Sequence, residues 1–380
     1  MTARLPFRAA ALALALGFAL LPAAAGRAGT PAATAQDYAR LVRVEAAEAS
    51  MSVFATGLNN PRGLKFGPDG MLYVAEGGVG GHDSTVGLCD QAPGVGPYTG
   101  SPTGSRISRI SPQGTRTTVA SGLPSSQTND ATGNLTSGVA DVAFLHGKMY
   151  ALIAGAGCSH GVKTRDNAVV RIENGTPVLV ANLSKFLKAH PVANPEPDDF
   201  EADGTWWNLI AAGDNLYATE PNHGELDRIA PTGEVTRVVD ISATQGHIVP
   251  TALTAFYGNF FVGNLNTFPV MKGSSKIMKI TPSGHITTAV SNLTTVLAVK
   301  FDKLGRMYVL QTTDGSTPNP SPGTGSVVRV QNGVQTTIVS GLTTPTAMVF
   351  GASGDLYVTN VGFGAPPMGL GQIVRVHVTY

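Results

Sequence analysis

Hydrophobic and polar positions alternate along this chain in short runs, and six times a glycine or polar turn is followed by a hydrophobic, aromatic, hydrophobic triplet. The triplets centre on Tyr73, Tyr150, Tyr217, Phe261, Tyr308 and Tyr357, separated by 77, 67, 44, 47 and 49 residues. The last three spacings match the repeat of a four-stranded propeller blade. In the sixth repeat an inner strand a is expected at 346–350, b at 356–359 and c at 372–376. The fifth repeat shows the same c run at 326–330 and a fourth, d, at 336–339. These runs are rich in Val, Ile, Thr and Tyr and bounded by Gly, Pro, Asn and Ser, which is the pattern of strands and tight turns. In the hairpins Gly67-Pro68-Asp69-Gly70 and Thr281-Pro282-Ser283-Gly284, proline presets the second turn position and glycine supplies a positive φ. A helical period of 3.6 is absent beyond the first residues, except over 183–189.

No d-type run follows the last c strand. The missing partner is expected at the other end of the chain, where the segment 52–58 reads like the d runs 118–123 and 338–342. Pairing it with the sixth repeat would seal the ring and remove an exposed edge. The fold expected is therefore all-β, a six-bladed β-propeller of four-stranded blades over residues 51–380, its N-terminal strand closing the last blade. No seventh triplet exists and none of the six is dispensable, which disfavours seven or five blades.

Composition agrees: 46 glycines and only 13% charged residues suit many tight turns around sheets buried on both faces. Residues 1–25 have the layout of a secretory signal peptide, with Arg4 and Arg8 ahead of an apolar run at 9–21 and small residues up to Ala25 for cleavage. That run is too short to span a bilayer comfortably, so the mature chain is expected to be secreted or periplasmic, with no transmembrane segment and a poorly ordered arm at 26–50. Cleavage removes two of 26 basic residues against 25 acidic ones, moving the net charge from +1 to −1. Such a balance points to no nucleic-acid or anionic-membrane partner, and the chain reads as a monomer. Cys89 and Cys158 are the two cysteines, both in b-to-c connections of adjacent blades; they read as a disulfide in an oxidising compartment or as two buried thiols.

Propellers bind ligands mostly at the mouth of the central channel, on the face carrying the d-to-a and b-to-c loops. Three insertions, 77–104, 155–167 and 184–204, fall in one third of the ring and are expected to roof that side of the mouth, or to shield edges and offer a partner surface. Three residues beyond each triplet aromatic stand Glu76, Ile153, Glu220, Asn264, Gln311 and Asn360. This ring of oxygens fits turn capping; through Glu76, Glu220 and Asn264 it also fits a hard cation, Ca²⁺ or Mg²⁺. The stretch 220–225 puts Glu220, Asn222 and His223 in one b-to-c loop, where His223 is a candidate general base. His247 precedes the fourth inner strand, His160 lies on the same rim, and Arg62 and Asp141 are the inner charges nearest them. The catalytic candidates are thus His223, His247 and Glu220; the ligand-binding candidates are Glu76, Asn222, Asn264, Asn360, Arg62, Asp141 and His160. The acidic stretch 195–204 fails as an EF-hand loop because Ile210 falls where the bidentate Glu must be, leaving a solvated loop or another cation site. Of Trp206 and Trp207, one indole is a candidate to line the mouth. Phosphate loops, nucleophile elbows and zinc motifs are absent.

The segments 53–64, 155–161, 193–198, 220–227 and 246–251 resemble the ScyD/ScyE family of exported propeller proteins, over nearly all of residues 51–380. The resemblance implies NHL-type repeats in a six-bladed propeller, and its name hints at periplasmic handling of a small aromatic metabolite. The repeats are more distantly similar to streptogramin lyase and gluconolactonase-like propellers, which work at the channel mouth with a divalent metal or a histidine. Two functions follow: a binding protein or enzyme, a metal-assisted hydrolase or lyase, acting on a small molecule at the mouth; or a non-catalytic scaffold that presents its rim to a protein or cell-surface polymer.

Overall fold

The computed structural model describes residues 43–44, 49–128, 135–195, 200–362 and 369–378. The expected signal peptide, most of the arm and acidic residues 196–199 lie outside the described residues. Six antiparallel sheets follow one another around the ring, each with its strands in the order a, b, c, d. The inner strands are Pro61–Phe66, Val139–Leu145, Asn208–Ala212, Pro250–Phe256, Val296–Phe301 and Met348–Phe350 in blades 1 to 6. The triplets fall in the second strands, Leu72–Glu76, Lys148–Ile153, Asn215–Glu220, Asn259–Asn264, Met307–Gln311 and Leu356–Asn360.

Closure occurs as the sequence predicts. Strand Ala49–Leu58 lies antiparallel to Gly371–Val378, with Met51 opposite Val376, Val53 opposite Val374 and Ala55 opposite Ile373. The ring is also stitched at its inner edge, where the Thr346 hydroxyl donates to the Pro61 carbonyl at 2.7 Å. Both predicted hairpins form; Gly70 and Gly284 have φ of 73° and 84°, which an L side chain rarely adopts.

Buried apolar residues fall into six clusters, and each cluster bridges two neighbouring blades. Leu152, Leu187, Trp206 and Leu209 join blades 2 and 3; Leu58, Leu64, Val74 and Ile373 join blades 6 and 1. The aromatic of the triplet is the wedge in this joint. Tyr73 meets Phe144 of blade 2 edge to face with centroids 5.0 Å apart, Phe261 meets Phe301 of blade 5 at 4.9 Å, Tyr308 meets Phe350 of blade 6 at 5.0 Å, and Tyr357 meets Phe66 of blade 1 at 5.2 Å. A perpendicular ring pair sets the positive edge of one on the negative face of the other. In these four repeats the triplet aromatic sets blade against blade, and Tyr217 meets Phe260 of blade 4 at a tilt with centroids 4.5 Å apart.

Two departures occur at the insertions. Residues 99–104, expected in a loop, extend strand c of blade 1, which runs Thr99–Ile110 beside d at Arg116–Gln127; Asp83–Ser84 adds a further short strand. The helix at Leu183–Ala189 forms as expected, capped by the Asn182 side chain accepting from the Lys185 N–H at 2.8 Å.

Candidate functional site

The three insertions meet over blades 1 to 3 and lock together. Cys89 and Cys158 form a disulfide between the first insertion and the second. Tyr98 of the first insertion donates its hydroxyl to Glu201 of the third at 2.9 Å, and the Glu201 carboxylate stands 3.3 Å from His160 Nε2 of the second. Thr205 donates its hydroxyl to Oε2 of Glu201, the oxygen that also faces His160. His160 also donates from Nε2 to the Gly204 carbonyl at 3.0 Å and faces the Ser126 hydroxyl through Nδ1 at 3.2 Å. Burial works against a charge on His160, but the hydrogen bond and charge of Glu201 outweigh it and raise its pKa. Burial likewise opposes ionisation of Glu201, and His160, Thr205 and Tyr98 together hold its pKa below the usual carboxylate range. Asp203 completes the lock, accepting from Lys188 at 2.5 Å and from the Ser159 N–H and hydroxyl at 2.8 and 2.9 Å.

Arg62 occupies the start of the first inner strand at the mouth end of the channel. Its guanidinium donates to the Thr136 carbonyl and lies 5.2 Å from the centre of the Trp207 ring, a cation–π contact strengthened by exclusion of water. Burial presses its pKa down to about 9, and the Tyr98 phenol acts against that; the group stays charged at neutral pH. Trp207 thus turns to the mouth, whereas Trp206 is in the core between blades 2 and 3.

Asp141 is deeper in the ring. Its Oδ2 accepts from Lys65 Nζ at 3.1 Å, Asn208 Nδ2 at 2.5 Å and the Leu209 N–H at 2.9 Å, while Oδ1 accepts from the Val142 N–H at 2.8 Å. Blades 1, 2 and 3 are pinned together by this one carboxylate. A Cβ on Gly63 would fall 2.5 Å from Asp141 Cα, so only glycine fits there.

The ring of oxygens has a shared structural use. Glu76 accepts from the Asn59 N–H at 2.6 Å, Glu220 from Thr205 at 2.6 Å, Gln311 from Thr294 at 2.6 Å and Asn360 from Thr343 at 2.7 Å. In each case the donor belongs to the connection that leads into the inner strand of the same blade. Asn264 accepts instead from Lys276 at 2.8 Å. Glu76 is further engaged by Arg106 at 2.8 Å and by Ser108, and Glu220 by the His223 N–H. Among the described residues no group of three or more His, Cys, Asp or Glu side chains is placed to hold a metal ion. The oxygens of Glu76, Glu220 and Asn264 are engaged by donors within three separate blades.

His223 is buried in the b-to-c loop of blade 3, against Phe200 with ring centroids 4.8 Å apart. Its Nε2 donates to the Glu201 carbonyl at 2.9 Å, and burial holds its pKa below the ordinary value; the imidazole is neutral and Nδ1 keeps its lone pair. Asn222 accepts from the Glu201 N–H at 2.8 Å. His223, Asn222 and Glu220 therefore share one corner with the roof, while His247 is partly buried in the connection into blade 4. Burial pushes the pKa of Glu220 up to about 8.

Sequence reasoning missed several members of the site. Glu201 lies in the acidic stretch 195–204, read as a solvated loop or another cation site, and its pairing with Tyr98 and His160 was not visible because these lie 103 and 41 residues away. Glu225 and Asp227 were also missed; both are fully buried on strand c of blade 3, with pKa values raised by burial and, for Asp227, by the charge of Glu225. Arg237 pairs with Glu225, and Asp227 faces Glu225 as a buried acid pair. Away from the axis, a cleft of about 340 Å³ opens between the outer strands of blades 1 and 2, floored by Leu123, Ile153, Val170 and Leu179, with Lys163 and Arg165 at its rim.

Solved structures similar to this chain are propeller proteins. A protein of unknown function from Bacteroides thetaiotaomicron aligns with a TM-score of 0.54 at 13% identity, covering 87% of this chain and 76% of that one. A gluconolactonase from Xanthomonas campestris aligns at 0.51 and 12%, covering 89% and 94%. The PQQ-bound aldose sugar dehydrogenase of Streptomyces coelicolor aligns at 0.52 and 15%, covering 88% and 99%. The likeness is one of fold. No protein-family profile and no curated protein sequence matches the chain. Among the described residues no helix is long and apolar enough to cross a membrane.

Proposed function

We propose that this chain is an exported propeller of the ScyD/ScyE kind that binds a small molecule under the roofed part of its channel mouth and transforms it by hydrolysis or elimination. The observation that supports this is Arg62, a cation at neutral pH stacked on Trp207 beside insertions that a disulfide and the Tyr98–Glu201–His160 contacts hold together. An indole and a guanidinium side by side suit a flat, electron-rich or anionic solute. Neutral His223 supplies a base whose Nδ1 can take a proton, oriented by its bond to the Glu201 carbonyl. Similar folds in the gluconolactonase and the sugar dehydrogenase support small-molecule chemistry as the kind of activity to seek.

The test is a thermal-shift survey with sugar lactones and indolic compounds, followed by turnover assays on any that stabilise the protein. A stabilising compound should lose its effect in Trp207→Ala, and turnover should fall at least tenfold in His223→Gln with substrate binding retained, as about 10² is typical for loss of a general base. A survey in which nothing shifts the melting temperature sinks the proposal. The cleft between blades 1 and 2 favours a second reading, a scaffold whose rim takes a protein or surface polymer. Under that reading, Leu179→Glu should abolish partner capture while Trp207→Ala leaves it intact.

A further inference from the structure

Each inner strand has one position that faces the triplet aromatic across the ladder. These positions hold Lys65, Ala143, Ile210, Thr254, Lys300 and Val349, opposite Tyr73, Tyr150, Tyr217, Phe261, Tyr308 and Tyr357. Four are apolar or small and two are lysine. Strand a runs from the mouth toward the a-to-b turn, and Lys65 and Lys300 each precede its last residue. They therefore stand at the end of the channel away from Arg62.

The two lysines are not equivalent. Lys65 is neutralised by Asp141 at 3.1 Å, and Asp141 is already saturated by Asn208, Leu209 and Val142. Lys300 is partly buried, and among the described residues its ammonium makes no hydrogen bond or ion pair, though it feels the charges of both Lys65 and Asp141. Lys300 thus lies within electrostatic reach of the Lys65–Asp141 pair, at the ladder position equivalent to that of Lys65. Burial and the neighbouring Lys65 push the pKa of Lys300 down to about 7, with Asp141 acting the other way.

We propose that the a-to-b end of the axial channel is a site for one small oxyanion, the carboxylate or phosphoryl group of a ligand, held by Lys300 with Lys65 beside it. Thr254 places a hydroxyl at the same ladder position in the adjoining blade. An anion there supplies the negative charge that the protein leaves out, and its presence favours the protonated amine, so binding takes up a proton wherever Lys300 is neutral beforehand. This site is separate from the mouth: Trp207→Ala tests one end of the channel and Lys300→Met the other.

Calorimetric titration of the whole protein with sodium acetate and with sodium sulfate, at pH 6 and pH 8 and in buffers of different ionisation heat, decides the matter. One equivalent should bind, with affinity about tenfold weaker at pH 8 than at pH 6 and with proton uptake at pH 8. Lys300→Met should weaken binding at least tenfold with an unchanged melting temperature; should it fail to fold, Lys300→Gln carries the same expectation. Preference for acetate identifies a carboxylate ligand and preference for sulfate a phosphoryl group. Absence of heat from both anions, or equal affinity in the folded Lys300 variant, overturns the proposal.

Discussion

Blades 4 to 6 and blades 1 to 3 are built on the same four strands, yet they place their polar groups differently. In blades 4 to 6 the position three beyond the triplet aromatic is an amide, Asn264, Gln311 or Asn360, which accepts a backbone N–H without bringing a charge inside. In blades 1 and 3 the same position is a carboxylate. Glu76 is offset by Arg106 and Ser108, whereas Glu220 has backbone donors only and its pKa rises to about 8 through burial. The buried His160–Glu201 pair and the disulfide also belong to the half that carries insertions. The comparison separates two tasks. Apolar wedges between blades are sufficient to close the ring, and the additional chain in one half creates a desolvated polar region that the ring itself does not need.

That separation can be broken by removing the lock. Replacing Cys89 and Cys158 together by serine should cost about 4 kcal/mol, the loop-entropy value for a crosslink spanning 69 residues. Hydrogen exchange should then show blades 1 to 3 opening while blades 4 to 6 keep their protection. Uniform loss of protection around the ring would mean that the halves are one cooperative unit.

Glu201→Leu should come next, at about 3 kcal/mol, since it strands a buried imidazolium. The double variant with His160→Leu should recover part of that loss. If the two single effects merely add, the pair carries no coupling and the roof is held by packing. A smaller effect sharpens the amide–carboxylate contrast: Asn360→Asp in blade 6 would set two acceptors face to face at Gln372 and should cost about 1–3 kcal/mol, more at pH 8 than at pH 5.

The smallest expected effect is on the pH profile. A carboxyl whose folded-state pKa is raised holds its proton better in the native protein. Its contribution is complete below the unfolded carboxylate pKa of about 4 and is lost as pH rises toward the folded value. Glu220 is raised by burial, so it lowers stability across the interval from there to about pH 8, and Glu225 and Asp227, also raised chiefly by burial, act in the same sense. Glu201, Asp203 and Asp355 act in the opposite sense: burial is outweighed by His160, Lys188 and His377 respectively among their donors, and their contribution is lost as pH falls through the lowered values. Melting temperature against pH should therefore peak on the acidic side of neutrality, and Asp227→Asn should flatten the decline above the unfolded carboxylate range. An unaltered slope in that variant would clear the acid pair of the effect.

The candidate site was partly visible in the sequence. Arg62, Asp141, His160 and His223 stood out because charged and imidazole side chains are rare in so neutral a chain, and Trp207 because it abuts an inner strand. Lys65 and Lys300 were readable in principle, since aligning the six triplets puts lysine where the other repeats hold apolar or small residues. The roof contacts were not readable. Tyr98 and Glu201 are 103 residues apart, and nothing near either residue announces the other.

What the sequence determined by itself was the ring: six aromatic triplets, alternating strand runs, glycine turns with positive φ and a displaced d strand at 52–58. Those features act over a few residues or repeat at a fixed spacing, so each can be read without knowing what lies across the molecule. The tertiary structure alone decided which polar groups are spent and which are left over. Asp141 is consumed by blades 1 and 3, Glu76 and Glu220 by backbone N–H groups, and Lys300 by no hydrogen bond or ion pair among the described residues. Desolvation and hydrogen-bond saturation depend on every neighbour at once, and those neighbours meet only when the blades close around the axis.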